Sequence, residues 1–298
     1  MDKKRAIALG TFDGLHLGHM RVLEGTKQFG LKAAALLFTE HPARALCGSA
    51  PAQLLTDEMR DRLLESVGIE ALKIDFREIM ALSARDFFTE ILLKRFCAGA
   101  ICCGENYTFG KGRLGTPALL QALCTEFSVQ LFVAPTATAL GAPVSSTRIR
   151  GFLQNGEIES ANALLGRRFS YAFEVVHGDR RGRTLDFPTI NQFFPSDFAV
   201  PKYGVYASQV YMDGVYHAAV TNIGVRPTIG TKTPRSETCI LGFSGDLYGQ
   251  SPEVELLSYL RPEQKFDSLE ALREAIRKDS HRASEIFGNS IANREKTL

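Results

Sequence analysis

The stretch AIALGTFDGLHLGH, residues 6–19, decides how the first half of the chain folds. The apolar run 6–9 reads as a strand, Gly10 and Gly14 bracket a turn, and a helix is expected to begin near 15–17. Strand, glycine-rich turn and helix, in that order, present backbone N–H groups to an anion at the positive end of a helix. His16 and His19, three residues apart, fall on one face of its first turn, and Gly18 between them permits close approach to the backbone. Imidazoles held there can donate hydrogen bonds to phosphate oxygens and stabilise a departing pyrophosphate without acting as nucleophiles. Two structural or metal-ligating histidines are the alternative, and it does not call for the surrounding glycines.

Outward from this stretch the pattern continues. Further apolar runs at 33–38, 71–75, 99–103 and 129–133 alternate with helical segments. TDEMRDRLLESVG (56–68) opens on Thr56 as N-cap and stops at Gly68, and SARDFFTEILLKRF (83–96) opens on Ser83 with Phe87, Ile91 and Phe96 at helical spacing. Continuous apolar strands separated by helices predict a parallel sheet of βαβ units. Beyond about residue 169 the rhythm becomes strand, turn, strand, with expected strands at 170–177, 205–211, 215–223, 238–243 and 253–260. YMDGVY (211–216) is an Asp-Gly hairpin signal. Few helices are left to serve as crossovers, so this half is expected to be an antiparallel barrel or sandwich. A closing helix, SLEALREAIRKD (268–279), is capped by Ser268. The domain boundary is expected within LLGRRFS (164–170), dividing the chain into 1–167 and 168–298.

The 298 residues carry a net charge of +2, which gives no electrostatic footprint for nucleic acid. The N-terminal apolar run is too short for a signal peptide, and no stretch approaches the ~20 apolar residues of a membrane span. The expected location is cytoplasmic, the expected partners are small molecules, and no oligomeric state follows from the sequence. The six cysteines form no C-x-x-C pair, so buried free thiols are expected rather than a zinc site or disulfides.

VSSTRIR (144–150) also opens a helix, with Ser145, Ser146 and Thr147 offering hydroxyl and amide donors and Arg148 a guanidinium fork. In VVHGDRRGRTLDFPTINQ (175–192) a glycine- and arginine-rich turn follows a strand. Thr189 and Asn191 lie two apart on one side of an extended segment, a pair of hard oxygens suited to Mg2+. In SETCILGF (236–243) Glu237 stands at the mouth of an apolar strand, where a carboxylate can accept a proton from a primary alcohol.

GTFDGLHLGH and SSTRIR resemble the signatures of the H-x-G-H nucleotidyltransferases, and specifically the FMN adenylyltransferase module of the bacterial bifunctional riboflavin kinase/FAD synthetases. That family's F-x-x-H-P is matched by Phe38, His41 and Pro42, and its G-E-[ND]-[FY]-x-F-G by GENYTFG (104–110). HGDRRGRTLDFPTIN, KYGVYAS, TNIGVRPTIG, ETCILGFSGDLYG and YLRPEQKFDSLEALREAI resemble its riboflavin kinase module in the family's order. The resemblance implies a Rossmann-like α/β nucleotidyltransferase domain followed by an antiparallel β-barrel kinase domain with a C-terminal helix. It implies phosphorylation of riboflavin by MgATP to FMN, then transfer of AMP from ATP to FMN, giving FAD. ATP in the first domain would meet Gly10, Thr11, Phe12, Asp13, Gly14, Gly18, Ser145, Ser146 and Thr147, with His16, His19 and Arg148 catalytic.

Phe38, His41, Pro42, Asn106, Tyr107 and Phe109 would border the flavin, although each phenylalanine alone reads equally as core. In the second domain Gly178, Gly182, Arg183, Thr184, Thr189 and Asn191 would hold ATP, Thr189 and Asn191 its Mg2+, and Glu237 would be the base. Two residues depart from the family pattern: Asp186 replaces the glycine before F-P-T, and Gly242 the aspartate of L-D-F. An added carboxylate at Asp186 calls for a compensating cation, for which Arg180, Arg181 and Arg183 are nearby. A flavin-binding regulator that keeps both pockets without catalysis is the alternative expectation.

Overall fold

The computed structural model describes residues 4–177, 189–212, 214–225 and 233–295, with side chains to 292. The chain divides into two compact units, 1–146 and 147–298.

In the first unit β1 (Arg5–Leu9), β2 (Lys32–Phe38), β3 (Glu70–Ile74), β4 (Ala98–Gly104) and β5 (Gln130–Ala134) form a parallel sheet in the order β3-β2-β1-β4-β5. β1 is central, and its Ala6, Ile7 and Ala8 are fully enclosed. Parallel neighbours require crossovers. α1 (Leu17–Gly25) leads from β1 to β2, and α2 (Pro42–Cys47) and α3 (Asp57–Ser66) lead on to β3. Thr56 caps α3 as expected, its Oγ1 accepting from the Met59 N–H at 3.2 Å. From β3 the chain passes through α4 (Phe76–Ile79) and α5 (Ala84–Asp86) to β4 on the other side of β1, then through α6 (Pro117–Glu126) to β5. The order reverses direction between β1 and β4, and in open parallel sheets ligands bind at the carboxyl ends of the strands that flank such a reversal. A hairpin, β6 (Thr138–Ala139) and β7 (Ala142–Pro143), closes the unit.

The segment 83–96 departs from the expected α-helix. Ser83 caps α5, and Phe87–Arg95 then winds as a π-helix, with the Phe96 N–H donating to Ile91 O at 3.0 Å. The wider turn puts Phe87, Phe88 and Leu92 into the core, while Ile91 stays partly exposed. Cys102 and Cys103 on β4 and Cys124 on α6 lie in the interior, where burial pushes their thiols up to about 12, about 11 and about 12. Cys47, at the end of α2, is exposed.

The second unit contains α7 from Thr147 on (Ser146–Asn155), α8 (Ile158–Leu165) and an antiparallel sheet. Its strands are β8 (Phe169–Tyr171), β9 (Val175–Val176), β10 (Ile190–Phe193), β11 (Gly204–Met212), β12 (Val215–Gly224), β13 (Arg235–Ile240) and β14 (Glu253–Arg261), in the order β8-β14-β11-β12-β13-β10-β9. The single strand expected at 170–177 is two strands on opposite edges of this sheet. Three residues, 172–174, join them, and at about 3.3 Å per residue they can do so only if the sheet curls until its edges nearly meet. The strand expected at 238–243 instead runs Arg235–Ile240, because Gly242 turns the chain with φ +71°. The family's aspartate would be strained in that left-handed position.

Gly214, at φ +82°, makes the expected hairpin between β11 and β12. Inside the barrel the hydroxyls of Ser208, Thr221 and Thr238 form a hydrogen-bonded ladder at 2.8 and 2.9 Å. Its outer face, including Val205, Ala207 and Leu257, packs with Ala283 of α9 (Leu269–Glu295), which Ser268 caps and which runs well beyond the expected end at 279. Arg261 fixes α9 to β14 through Asp279, with Nη2 to Oδ2 at 2.8 Å.

The division into compact units falls at 146/147, one residue into α7, while the boundary expected from the sequence, 167/168, lies after α8. Both helices are tied to the barrel unit. Lys202 N–H donates to Leu153 O at 2.8 Å, and the Asn162 amide donates to Leu256 O at 3.0 Å while accepting from Phe169 N–H.

Candidate active sites

The turn after β1 is wound by three residues at positive φ: Phe12 (+52°), Gly14 (+84°) and Leu15 (+41°). A side chain pays about 1–2 kcal/mol for that conformation, and Phe12 and Leu15 offset it by full burial. Gly10 makes room for the Phe12 ring, which a Cβ there would meet at 3.2 Å. The winding leaves Thr11 exposed and delivers His16 to the N-cap of α1. There the His16 Nδ1 accepts the His19 backbone N–H at 3.3 Å, so the ring's proton in the neutral form sits on Nε2. His16 is 6% exposed, and the two imidazoles stack with centroids 3.7 Å apart and planes at 12°. Gly18 gives space to this stack, since its Cβ would meet His16 Cε1 at 3.2 Å. The edge of Phe12 supports His19 at 5.3 Å.

Asp13 is a tie. Its Oδ1 accepts from Leu54 N–H at 3.0 Å, and its carbonyl accepts from the Ser146 hydroxyl at 2.8 Å. Ser146 is thereby fixed beside the turn at the start of α7, next to half-buried Ser145. Thr147 and Arg148 follow in the opening turn of α7, where the Arg148 guanidinium lies over the Phe152 ring at 5.6 Å.

At the carboxyl end of β2, Phe38 meets Phe76 edge-on at 5.4 Å. His41 is a second capping histidine: its Nδ1 accepts from Ala43 N–H at 3.1 Å, with Pro42 in the first position of α2. After β4, Asn106 is exposed and the Tyr107 ring stacks on Phe109 at 5.7 Å. Phe109 itself packs in the core beside Phe87 and is bridged in both directions to Gly115. Phe38 and Tyr107 lie against the same core and remain partly exposed.

Glu105 stood unused within GENYTFG. Its carboxylate accepts from the hydroxyl of Thr136 at 2.7 Å and from its N–H at 2.8 Å, bonds that hold it below the usual carboxylate range. Arg21 of α1 donates to the Thr136 carbonyl at 3.2 Å, pinning the loop after β5 from the other side.

In the second unit, strand register brings the polar residues together. Asn191 of β10 pairs with Glu237 of β13, and Glu237 with Asn222 of β12, so the three stand in a row across adjacent strands. Thr189, two residues before Asn191, shares its side of the chain. Asn191 is 8% exposed. Arg235, two residues before Glu237, places Nη2 2.7 Å from Glu237 Oε1. Asn222 donates its amide to Glu263 Oε1 at 3.1 Å, and Gly224 lets the Glu263 carboxylate lie over the strand where any Cβ would collide with it.

The sequence motifs did not point to Arg235, Asn222 or Glu263, since pairing rather than spacing unites them. Gly178, Gly182, Arg183 and Thr184, with Arg180, Arg181 and Asp186, lie outside the described residues.

Each half of the sequence thus carries a polar constellation of its own. The FAD synthetase family model matches residues 1–148, and the riboflavin kinase family model matches 165–287. A protein from Bacillus subtilis described as a bifunctional riboflavin kinase/FMN adenylyltransferase is 34% identical over 303 residues, covering 96% of this chain and 93% of the relative. One so described from Escherichia coli K12 is 34% identical over 290 residues, covering 95% and 92%. A crystal structure from Streptococcus pneumoniae described as a macrolide-efflux protein aligns over 95% of each chain with a TM-score of 0.86 and 29% identity. The chain belongs to the bifunctional riboflavin kinase/FMN adenylyltransferase family.

Proposed function

We propose that each activity of this bifunctional enzyme is carried by the constellation described in its own half of the sequence, with the two chemistries dividing at 167/168. The chain phosphorylates riboflavin with ATP to give FMN and ADP, then joins AMP from a second ATP to FMN, giving FAD and pyrophosphate.

In the adenylyl step a phosphate oxygen of FMN attacks the α-phosphorus of ATP, and the pyrophosphate leaves with the negative charge. The nucleophile is already ionised, so the protein aligns the reactants and stabilises charge. His16 carries the reading. Its Nδ1 is committed to a backbone N–H, which makes Nε2–H a donor at the positive end of α1. His19, stacked on it, is the second imidazole of the pair. Residues 10–14 and Gly18 give backbone access to the triphosphate, and Ser145, Ser146, Thr147 and Arg148 supply hydroxyl, amide and guanidinium donors. Phe38, His41, Pro42, Asn106 and Tyr107 border the flavin, with Phe109 backing Tyr107 from the core.

In the kinase step Glu237 accepts the proton of the ribityl 5′-hydroxyl as its oxygen takes the γ-phosphoryl group. Thr189 and Asn191 fit a Mg2+ that arrives on the nucleotide, being neutral hard oxygens on one side of one strand with Asn191 largely enclosed. Held there, that ion would supply positive charge against the charge developing on the phosphates. Gly178, Gly182, Arg183 and Thr184 are assigned to the nucleotide by resemblance alone. Among the described residues no helix is long and apolar enough to cross a membrane. We place the enzyme in the cytoplasm, where ATP and free thiols coexist.

The test is incubation of the purified chain with riboflavin and MgATP, followed by chromatographic separation of flavins. FMN followed by FAD is expected. Bound riboflavin that is never converted would leave a flavin-binding regulator in place of an enzyme.

A further inference from the structure

We infer that Arg235 is a positioning residue for the kinase step, holding the Glu237 carboxylate in the one orientation in which it can receive the substrate's hydroxyl proton. The inference rests on the reading of Glu237 as proton acceptor and goes one residue beyond it.

Arg235 and Glu237 lie two apart on β13, so their side chains leave the same face of the sheet. The Nη2–Oε1 distance is 2.7 Å, and the side chains are only 12% and 20% exposed. Exposed ion pairs are screened and contribute little, whereas a pair shielded to this degree fixes geometry. A glutamate side chain has three rotatable bonds, and one oxygen held by a guanidinium restricts them.

Among the described residues, those paired with Glu237 on the two neighbouring strands are neutral. Asn191 on β10 is neutral. Asn222 on β12 is neutral too, and its amide donates to Glu263, which reaches in from the segment after β14. Arg235, a charged partner of Glu237, comes from its own strand. Proton acceptance requires the carboxylate within hydrogen-bond reach of the hydroxyl, so loss of the pair should lower turnover more than substrate binding.

The experiment compares riboflavin phosphorylation by the full chain carrying Arg235→Ala, Arg235→Lys, Glu237→Gln, and Arg235→Ala with Glu237→Gln combined. Arg235→Ala is expected to lower kcat about tenfold with KM for ATP and riboflavin nearly unchanged, and Arg235→Lys to recover part of that loss. In the Glu237→Gln background, removing Arg235 should cause no further loss, because the two act as a unit. Circular dichroism and the urea-unfolding transition of the full chain report that the variant barrel is folded. If Arg235→Ala does not fold, Arg235→Gln is the neutral replacement and is read in the same way.

Multiplicative losses in the double variant would overturn the proposal, as would a raised KM for ATP at unchanged kcat, which would make Arg235 a nucleotide ligand. Full activity of Glu237→Gln would instead overturn the assignment of the base itself. The two failures are therefore told apart.

Discussion

The turn at residues 10–19 and the face shared by β10, β12 and β13 reach similar chemistry by different construction. In the first, a contiguous stretch builds the site almost alone. Three left-handed residues, two of them buried side chains, wind the backbone until a histidine becomes a helix cap. In the second, Asn191, Glu237 and Asn222 are far apart in sequence and meet only through antiparallel pairing. The first construction stores its geometry in local backbone strain supported by packing. The second stores it in register, where a slip by one residue would turn every member of the row to the opposite face. Each should therefore fail in its own way.

The largest effect should come from His16→Ala, which removes both the cap and the donor. FAD formation from FMN should fall by about a hundredfold or more while FMN still accumulates from riboflavin, as read by flavin chromatography. Loss of both products would break the comparison by showing that the sites depend on each other. Glu237→Gln should do the reverse, reducing riboflavin phosphorylation by about a hundredfold and sparing FAD synthesis from supplied FMN.

Ser146→Ala tests the tie to Asp13. It should cost about 1 kcal/mol of stability in urea unfolding and weaken ATP use in FAD synthesis but not in the kinase step.

The smallest effect concerns Glu70, which the Arg5 side chain at 2.8 Å and Lys32 at 3.1 Å hold below its ordinary value of 4.5. A depressed carboxyl stabilises the fold above the unfolded value and loses that contribution as pH falls through the folded one. Glu70→Gln should lower stability by about 0.5 kcal/mol at pH 7, with the difference from the parent vanishing in strong acid.

The difference in construction also explains what could be read in advance. The five parallel strands, the Thr56 and Ser83 caps and the histidine turn were legible because periodicity, capping and motif spacing are local. The division of 170–177 into two strands was not, because what splits it is closure of the sheet, a tertiary demand. The π-helix was hidden for a similar reason: Phe87, Phe88 and Leu92 obey the core rather than the α-helical period. The ties that Asp13 makes, its carboxylate to Leu54 N–H and its carbonyl to the Ser146 hydroxyl, are tertiary and carry no local signal. At Gly18 the missing Cβ also leaves space for the His16 ring. Arg235, Asn222 and Glu263 carry no motif and became visible only once the strands were paired.

The sulfur inventory has a practical consequence. Cys102, Cys103, Cys124 and Cys239 are enclosed and shifted to about 11–12, so at neutral pH they are almost wholly protonated and shielded from reagents. Cys47 stands exposed at the far end of the short helix that His41 and Pro42 begin. A maleimide dye attached there would sit one and a half helical turns from the proposed flavin rim, close enough for the isoalloxazine to quench it. With the partly exposed Cys97 replaced, the chain's own Cys47 would be an optical handle on the filling of the first unit.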